Sequence, residues 1–326
     1  MILVIAGHTI ALEYSAPIYT FHMPLFFFLS GLFIKTDVPF GSFFVKKTKS
    51  ILSIWLIVFV VSLSVCLCIP EWRGQISMKT LIKDLYSSNT NVVQNSSLWF
   101  LVCLFFAEIV FWLVEQFKKS SHPYVFYALF LLLSIFVLWQ VPILDRISHV
   151  IPIIGNRLPF KIDTALCAVV FIAVGSWGKP YINRLLDKCN VLCLIALFAL
   201  WLALALFNGW TNLNALVFGR YKMLFYPIAF LGIAWTLGLS KLISDSGYKG
   251  VSRFLSFYGR NSLIIFAFQS IFIRLYILII NNIMGLKMAL YANNPIEHQV
   301  ASFIIVGFVV SPIIAYTNSR RRKAGI

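Results

Sequence analysis

Long apolar runs separated by short polar segments fill this sequence from end to end. A helix needs about 17 to 25 apolar residues to cross the roughly 30 Å of hydrocarbon in a bilayer. A soluble domain would leave a vast apolar surface exposed, because the mean hydropathy is +0.88 and only 12% of residues are charged. The sequence therefore predicts an all-α polytopic membrane protein with about ten transmembrane helices, the first one short. We place them near residues 1–12, 20–34, 51–70, 98–117, 123–142, 162–178, 190–208, 222–240, 261–281 and 299–317.

The basic residues lie mostly in the short segments between these runs, and this pattern predicts an orientation. The chain has 27 Lys and Arg against 11 Asp and Glu, a net charge of +16. Seventeen of the 27 fall on one side of the membrane, in loops 35–50, 118–122, 179–189 and 241–260 and in the tail 318–326. The positive-inside rule then predicts cytoplasmic N- and C-termini, with the C-terminal basic run held by anionic membrane lipids. We expect no nucleic-acid partner.

No internal repeat, low-complexity tract or detached soluble segment interrupts the chain, so we expect one membrane domain over residues 1–326. The first apolar segment lacks a basic n-region and a small-x-small cleavage site, which favours a retained helix over a signal peptide. The six cysteines lie mostly inside apolar runs without histidines at zinc spacing, so we expect no metal site. They are Cys66, Cys68, Cys103, Cys167, Cys189 and Cys193.

Two histidines near the N-terminus lie at or beside membrane depth. His8 follows Gly7, and His22 opens the stretch FHMPLFFFLSGLFI. An imidazole in a bilayer is costly unless it is paired or wet, which makes both residues functional candidates. For His22 an interfacial histidine bonded to a loop carbonyl is an equal alternative.

The same residues carry a resemblance to a known family. GHTIAL followed by FHMPLFFFLSG resembles the opening of the membrane-bound acyltransferase 3 family, particularly its fucose 4-O-acetylase-like branch of sugar O-acetyltransferases. SSLWFLVCLF at 96–105, RLPFKIDTAL at 157–166 and LSFYGRNSLIIF at 255–266 are similar to later parts of the same family. The resemblance implies a bacterial cytoplasmic (inner) membrane enzyme that uses acetyl-CoA as acyl donor and a cell-surface glycan as acceptor.

The resemblance also implies that His8 is the essential histidine. Imidazole titrates near neutral pH, so His8 suits a general base, and an acyl-carrier role stays open beside it. Glu13 is expected to orient His8 if the first helix ends near Leu12. Relatives often have a histidine after the NSL stretch where this chain has Gln269, which leaves His8 as the proton-handling residue.

Family members usually begin further upstream of this histidine, with a basic and acidic stretch. From Met1 to Leu12 a helix rises only about 18 Å, which is too little to span a bilayer alone. We therefore expect either a truncated chain start or a protein that has lost part of its first helix.

Lys46, Lys47 and Lys49 precede the third predicted helix on the expected cytoplasmic side. The phosphates of acetyl-CoA need cations there, so these lysines are the predicted cofactor-binding residues. Many relatives have arginines in this region, which clamp phosphate bidentately where lysine offers a point charge. The alternative is that the lysines serve topology alone.

Four residues are predicted to contact substrate: His22, Trp99, Arg157 and Arg274. Trp99 can stack on a sugar or anchor its helix at the lipid interface. Arg157 belongs to a polar loop that suits hydroxyl groups or is simply solvated. Arg274 lies within a predicted span and should face the bundle interior, where a phosphate on a lipid-linked sugar would be a suitable partner.

Other family-like positions have structural interpretations. Ser30 and Gly31 form a small pair that favours close helix packing over a nucleophile. Asp163 near a helix start is stabilised by the helix dipole, and Asn261 or Ser262 is expected to cap the ninth helix.

Together these features predict an O-acetyltransferase that acts on a hydroxyl of a cell-surface or capsular polysaccharide or of its lipid-linked precursor. Two alternatives remain at this point. One is a transporter or flippase for glycan intermediates, although the paired, broken helices of many transporters are not evident. The other is an inactive, truncated acyltransferase.

Overall fold

The computed structural model describes residues 1–140, 143, 157–289, 294–314 and 316, without the side chains of Leu12 and Glu13. Within these residues the regular structure is almost entirely helical. A two-residue antiparallel pair, β1 (Thr211–Asn212) with β2 (Val217–Phe218), closes one loop. The helices, numbered α1 to α15 in chain order, are Ile2–Thr9, Leu12–Tyr19, His22–Phe33, Phe40–Lys47, Ser53–Cys68, Pro70–Arg73, Met78–Ser87, Trp99–Ser120, Pro123–Phe136, Ile162–Asp187, Val191–Asn208, Phe225–Asp245, Lys249–Arg260, Ser262–Met284 and Ile296–Ile304.

Eight helical stretches of the described chain are long and apolar enough to cross a membrane, and Pro123–Trp139 is a shorter apolar one. The eight are Tyr14–Phe33, Phe40–Cys68, Ser96–Ser120, Pro159–Asp187, Val191–Asn208, Lys222–Asp245, Ser262–Met284 and Ile296–Ile314. They confirm the prediction of an all-α polytopic membrane protein. Helices suit a bilayer because each satisfies its own backbone hydrogen bonds without water.

The N-terminal segment differs from the prediction in its boundaries. α1 ends at Thr9 rather than at Leu12, and α2 replaces the loop expected before the second span. The backbone is extended at the Ile10 cap, and the Ala11 N–H donates to Gln299 Oε1 at 2.7 Å. A side chain from the far end of the sequence therefore supplies the hydrogen-bond acceptor that the Ala11 N–H lacks where the helix breaks. The sequence around Ala11 does not reveal this partner.

A close crossing of α3 and α10 sets the position of α3. A Cβ built on Gly31 would lie 2.1 Å from the Ile172 carbonyl oxygen, and one on Gly175 would lie 2.2 Å from the Phe28 carbonyl oxygen. Only glycine fits at these two positions, because any side chain would overlap the facing backbone. The close-packing interpretation of Gly31 agrees with this contact, which is typical of membrane helices.

Several contacts bring the basic loops to one end of the bundle. Lys119 pairs with Asp37 at 2.9 Å, and Lys118 lies 4.6 Å from the ring centroid of Trp177 in α10. We call this end, formed by segments 34–50, 118–122, 179–190 and 241–260, the basic end. The segments 88–98, 157–161, 209–224 and 285–289 form the opposite end, where Lys161 Nζ donates to Asn89 Oδ1 at 2.6 Å.

In the segment between α5 and α8, a capping box between Ser77 and Thr80 begins α7. Beyond it, the carboxylate of Asp84 accepts the Val92 N–H at 2.6 Å and ties the helix to the following loop. Burial raises the pKa of the Asp84 carboxyl above its usual value, against the opposing effects of that hydrogen bond and of Lys83.

The expected side-chain cap on α14 is absent. Asn261 occupies the N-cap position without capping the helix, and its amide donates backwards to the Phe257 carbonyl at 2.9 Å. Asp163 lies in the first turn of α10, as expected, where it accepts the Thr164 N–H at 2.6 Å.

Candidate functional site

His8, Tyr19 and His22 come together where the three N-terminal helices meet. The Tyr19 hydroxyl donates to the Gly7 carbonyl at 2.9 Å, so α2 folds back against α1. The Tyr19 ring packs edge-on to His22, with centroids 4.8 Å apart, and to His8, with centroids 6.2 Å apart. The turn between α2 and α3 places His22 three residues after Tyr19, so one aromatic ring contacts both imidazoles.

The hydrogen bond of His22 defines which ring nitrogen is available for chemistry. His22 is buried, and its Nδ1 lies 2.8 Å from the Ile18 carbonyl oxygen. A carbonyl oxygen only accepts hydrogen bonds, so Nδ1 carries the proton. In the neutral ring, Nε2 is then the nitrogen that can accept a proton or a hydrogen bond.

His22 lines an elongated cavity of about 390 Å³ that extends to the basic end. One wall is a face of α3 from His22 to Phe33, and the eleven residue steps between them rise about 16 Å. The remaining walls come from the first turn of α1 and from α8, α12, α13 and α14. Apart from His22, the lining side chains are largely apolar, with hydroxyls at Ser30, Thr236 and Ser262. We call this space the α3 cavity.

An ion pair lies behind the wall of the α3 cavity. Glu108, in the middle of α8, is 3% exposed and pairs with Lys47 at 2.9 Å. Its other carboxylate oxygen accepts the Ser30 hydroxyl at 2.6 Å. Lys47 therefore turns inward, toward α8. The predicted contact of Lys47 with donor phosphates would compete with this pair.

Lys46 and Lys49 occupy a different place from Lys47. Both are exposed and line an open groove of about 680 Å³ at the basic end, together with Gly41 and Ser42. The three lysines that the sequence grouped together thus separate into two exposed cations and one partly buried ion-pair partner. The reason is helical geometry, since consecutive positions of a helix point in different directions.

His8 also lines a small crevice on the side away from the α3 cavity. Its volume is about 10 Å³, roughly the space of one water, and its wall includes Asn294 and Ser302. Tyr276 and His298 line the same crevice, and the Tyr276 hydroxyl and His298 Nδ1 are 3.1 Å apart. His8 and His22 therefore border two separate spaces, with Tyr19 between them.

Arg157 has structural partners at the opposite end of the bundle. Its guanidinium forms a short hydrogen-bonded ion pair with buried Asp163 and also donates to Thr164 Oγ1 at 3.2 Å and to the Asn214 carbonyl at 3.1 Å. These bonds join the start of α10 to the β1–β2 loop. The predicted contact of Arg157 with substrate would have to use the remaining guanidinium nitrogen.

Arg274 points toward the loop before α8. Its Nη1 donates to Gln94 Oε1 at 2.7 Å, in agreement with the expectation that this arginine faces protein. Nearby, buried Asn95 donates to Ser62 at 3.1 Å and to the Ala267 carbonyl at 2.8 Å. The bonds from Asn95 to Ala267 and from Arg274 to Gln94 fix the loop before α8 against α14. Arg274 therefore has a structural role in addition to its predicted contact with substrate phosphate.

Trp99 is 7% exposed and packs edge-on against Phe100 with ring centroids 6.1 Å apart. Its ring lies inside the bundle rather than at a lipid-facing surface, and its stacking on a sugar stays a prediction. The predicted role of Glu13 concerns a side chain outside the described residues.

Tyr19 and Glu108 are not among the residues predicted from the sequence. A carboxylate in the middle of the 22-residue helix α8 was the available signal for Glu108, because an ionisable group within a span is expensive. No sequence signal identified Tyr19, whose importance depends on how α2 folds back. Among the described residues, no group of three or more His, Cys, Asp or Glu is arranged to hold a metal.

Comparison with known proteins assigns the family. Residues 1–317 match the acyltransferase 3 family model, described as an acyltransferase domain. No curated protein and no solved structure matches the chain. The family match covers nearly the whole sequence and includes His8, His22 and every described wall of the α3 cavity. The chain therefore belongs to the acyltransferase 3 family and is a multi-pass membrane acyltransferase.

Proposed function

We propose that this protein is an O-acetyltransferase that moves an acetyl group from acetyl-CoA to a hydroxyl of a cell-surface or capsular polysaccharide, or of its lipid-linked precursor. The observation that carries the proposal is the α3 cavity, which leads from the basic end to His22, together with the Tyr19 ring, which packs against both His22 and His8. A donor entering at the basic end would meet His22 deep in the protein, with His8 on the other side of the Tyr19 ring.

The basic end is the cytoplasmic end in this proposal, because lysine and arginine concentrate on the cytoplasmic side of membrane proteins. Cytoplasmic acetyl-CoA would enter the α3 cavity with its acyl group directed inward. Lys46 and Lys49, exposed at the same end, would contact its phosphates. The host membrane would be the bacterial cytoplasmic membrane, and the acceptor would approach from the other side.

The reaction needs a group that accepts the proton of the acceptor hydroxyl. In direct transfer, the hydroxyl oxygen attacks the thioester carbon, His8 takes the proton, and CoA leaves as a thiolate that is then protonated. In the two-step route, His8 Nδ1 or Nε2 first attacks the thioester carbon and CoA leaves as a thiolate that is then protonated. The acceptor hydroxyl oxygen next attacks the acetyl carbon of the acetyl-imidazole, the bond to the imidazole nitrogen breaks, and the imidazole takes up the hydroxyl proton. His22 would contact the acyl group in both routes, because it lines the cavity.

O-acetylation of surface glycans in bacterial cells tests the proposal. Acetyl signals are measured by NMR for the wild type, His8→Ala, His122→Ala and an empty vector. His122 is an exposed histidine at the basic end and serves as the matched control. We expect acetylation with the wild type and His122→Ala, and none with His8→Ala or the empty vector.

Acetylation that survives in His8→Ala would place the chemistry on another residue. A wild-type protein that is present in the membrane with its acceptor glycan, yet adds no acetyl group, would contradict the proposed function.

A further inference from the structure

The chain of contacts from Lys47 through Glu108 to Ser30 ends on the wall of the α3 cavity. Lys47 Nζ and Glu108 are 2.9 Å apart, and the Ser30 hydroxyl donates to the same carboxylate at 2.6 Å. Ser30 lines the cavity, whereas Lys47 and Glu108 lie behind it. Three helical segments therefore supply one side chain each to an arrangement that fixes a single hydroxyl at the cavity surface.

A buried carboxylate in a span is costly, and proteins retain it where it has a partner and a task. Lys47 lies 2.9 Å from one oxygen of Glu108 as its ion-pair partner, and Ser30 donates a hydrogen bond to the other oxygen. Helix packing alone does not require this arrangement, because the glycine contact between α3 and α10 already sets the position of α3.

The direction of the serine hydrogen bond determines what the cavity can recognise. A serine hydroxyl has one proton, and Ser30 donates it to the carboxylate. The Ser30 oxygen can therefore only accept a hydrogen bond from a ligand. Thr236 behaves in the same way, because its hydroxyl donates to the Gly232 carbonyl at 2.8 Å while the residue lines the same cavity.

We propose that Ser30, held by Glu108 and Lys47, binds an amide N–H of the acyl donor and thereby selects a donor with a pantetheine arm. This inference rests on the proposed function. The pantetheine arm has two amide N–H groups, and the two-methylene segments beside them suit these apolar walls. Ser30 lies eight residues from His22, about 12 Å along α3, so the amide farther from the thioester is the one that reaches it.

A series of shortened donors tests this assignment. Acetyl-CoA and acetyl-pantetheine carry both amides, whereas acetyl-N-acetylcysteamine carries only the amide nearer the thioester. We expect Ser30→Ala to raise KM for the two longer donors by about three- to tenfold, the effect of one lost hydrogen bond. KM for acetyl-N-acetylcysteamine and kcat for all three should remain unchanged.

Two further variants serve as controls. Ser30→Thr keeps a hydroxyl and should restore the preference for the longer donors. Ser134→Ala removes another buried helical serine, which donates to the Phe130 carbonyl at 2.6 Å and does not line the α3 cavity. Ser134→Ala should leave all three KM values unchanged.

An equal loss with all three donors, or no change with any of them, would overturn the assignment. Binding of CoA and of pantetheine to the purified protein, measured by calorimetry, gives a readout that does not need turnover. If the wild type binds CoA without transferring acetyl groups, the proposed function fails, while weaker binding to Ser30→Ala still supports the subsite. If the wild type does not bind CoA, both proposals are refuted.

Discussion

Two glycines in α10, three residues apart, are expected to respond in opposite directions to the same substitution. A Cβ on Gly175 would lie 2.2 Å from the Phe28 carbonyl oxygen, whereas a Cβ on Gly178 would meet nothing within 4 Å. Both positions are interior to the helix. Gly→Ala at either position therefore brings the same gain in helix propensity, about 1 kcal/mol.

The magnitude follows from the contact. The facing atom at Gly175 is backbone, which cannot rotate away, so α3 and α10 must separate and lose packing. Overpacking of this kind costs about 1–3 kcal/mol, and a contact this close belongs near the upper end. We expect Gly175→Ala to lower the free energy of unfolding by about 2 kcal/mol and Gly178→Ala to raise it by about 1 kcal/mol.

Unfolding of the purified protein in detergent micelles, titrated with SDS and followed by tryptophan fluorescence, measures both values. The propensity gain cancels between the two variants, so their difference isolates the steric cost of the crossing. Gly175→Ala should also reduce acetyl transfer, because α3 carries His22 and Ser30 along the cavity. Equal stability of the two variants would refute the close crossing of α3 and α10.

Three further variants follow from single contacts. Asp84→Asn keeps an oxygen for the Val92 N–H and removes the charge. Burial raises the pKa of Asp84, so the wild type should lose stability as the pH rises above the ordinary pKa of a carboxyl group. The Asn variant should not show this loss. Thermal melting at pH 4 to 7 measures the difference. Tyr19→Phe removes the hydrogen bond to the Gly7 carbonyl, so it should lower the free energy of unfolding by about 1 kcal/mol and also lower kcat. An unchanged kcat would show that this bond does not position the histidines. Glu108→Ala leaves Lys47 and the Ser30 hydroxyl without their carboxylate. It should lower the free energy of unfolding in SDS by about 1–3 kcal/mol. No change in stability would contradict the ion pair.

The two N-terminal histidines were predictable from the sequence, whereas their arrangement was not. His8 and His22 were identified from the sequence because imidazoles are rare in apolar runs. That they share one tyrosine ring was not predictable, since it depends on the break after Thr9 and on a hydrogen bond from Ala11 to Gln299. The lysines after α3 were likewise located correctly at one end, while the inward turn of Lys47 required its partner on α8.

The sequence by itself determined that this chain is a helical membrane protein, where its apolar runs lie, and which residues are chemically unusual within them. Hydropathy and composition are local properties, and a bilayer imposes a fixed helix length on them. Only the tertiary structure decided which polar side chains meet. The Lys47–Glu108–Ser30 chain and the His8–Tyr19–His22 cluster join residues through helix crossings, and those crossings depend on the packing of distant segments such as Gly31 against Ile172.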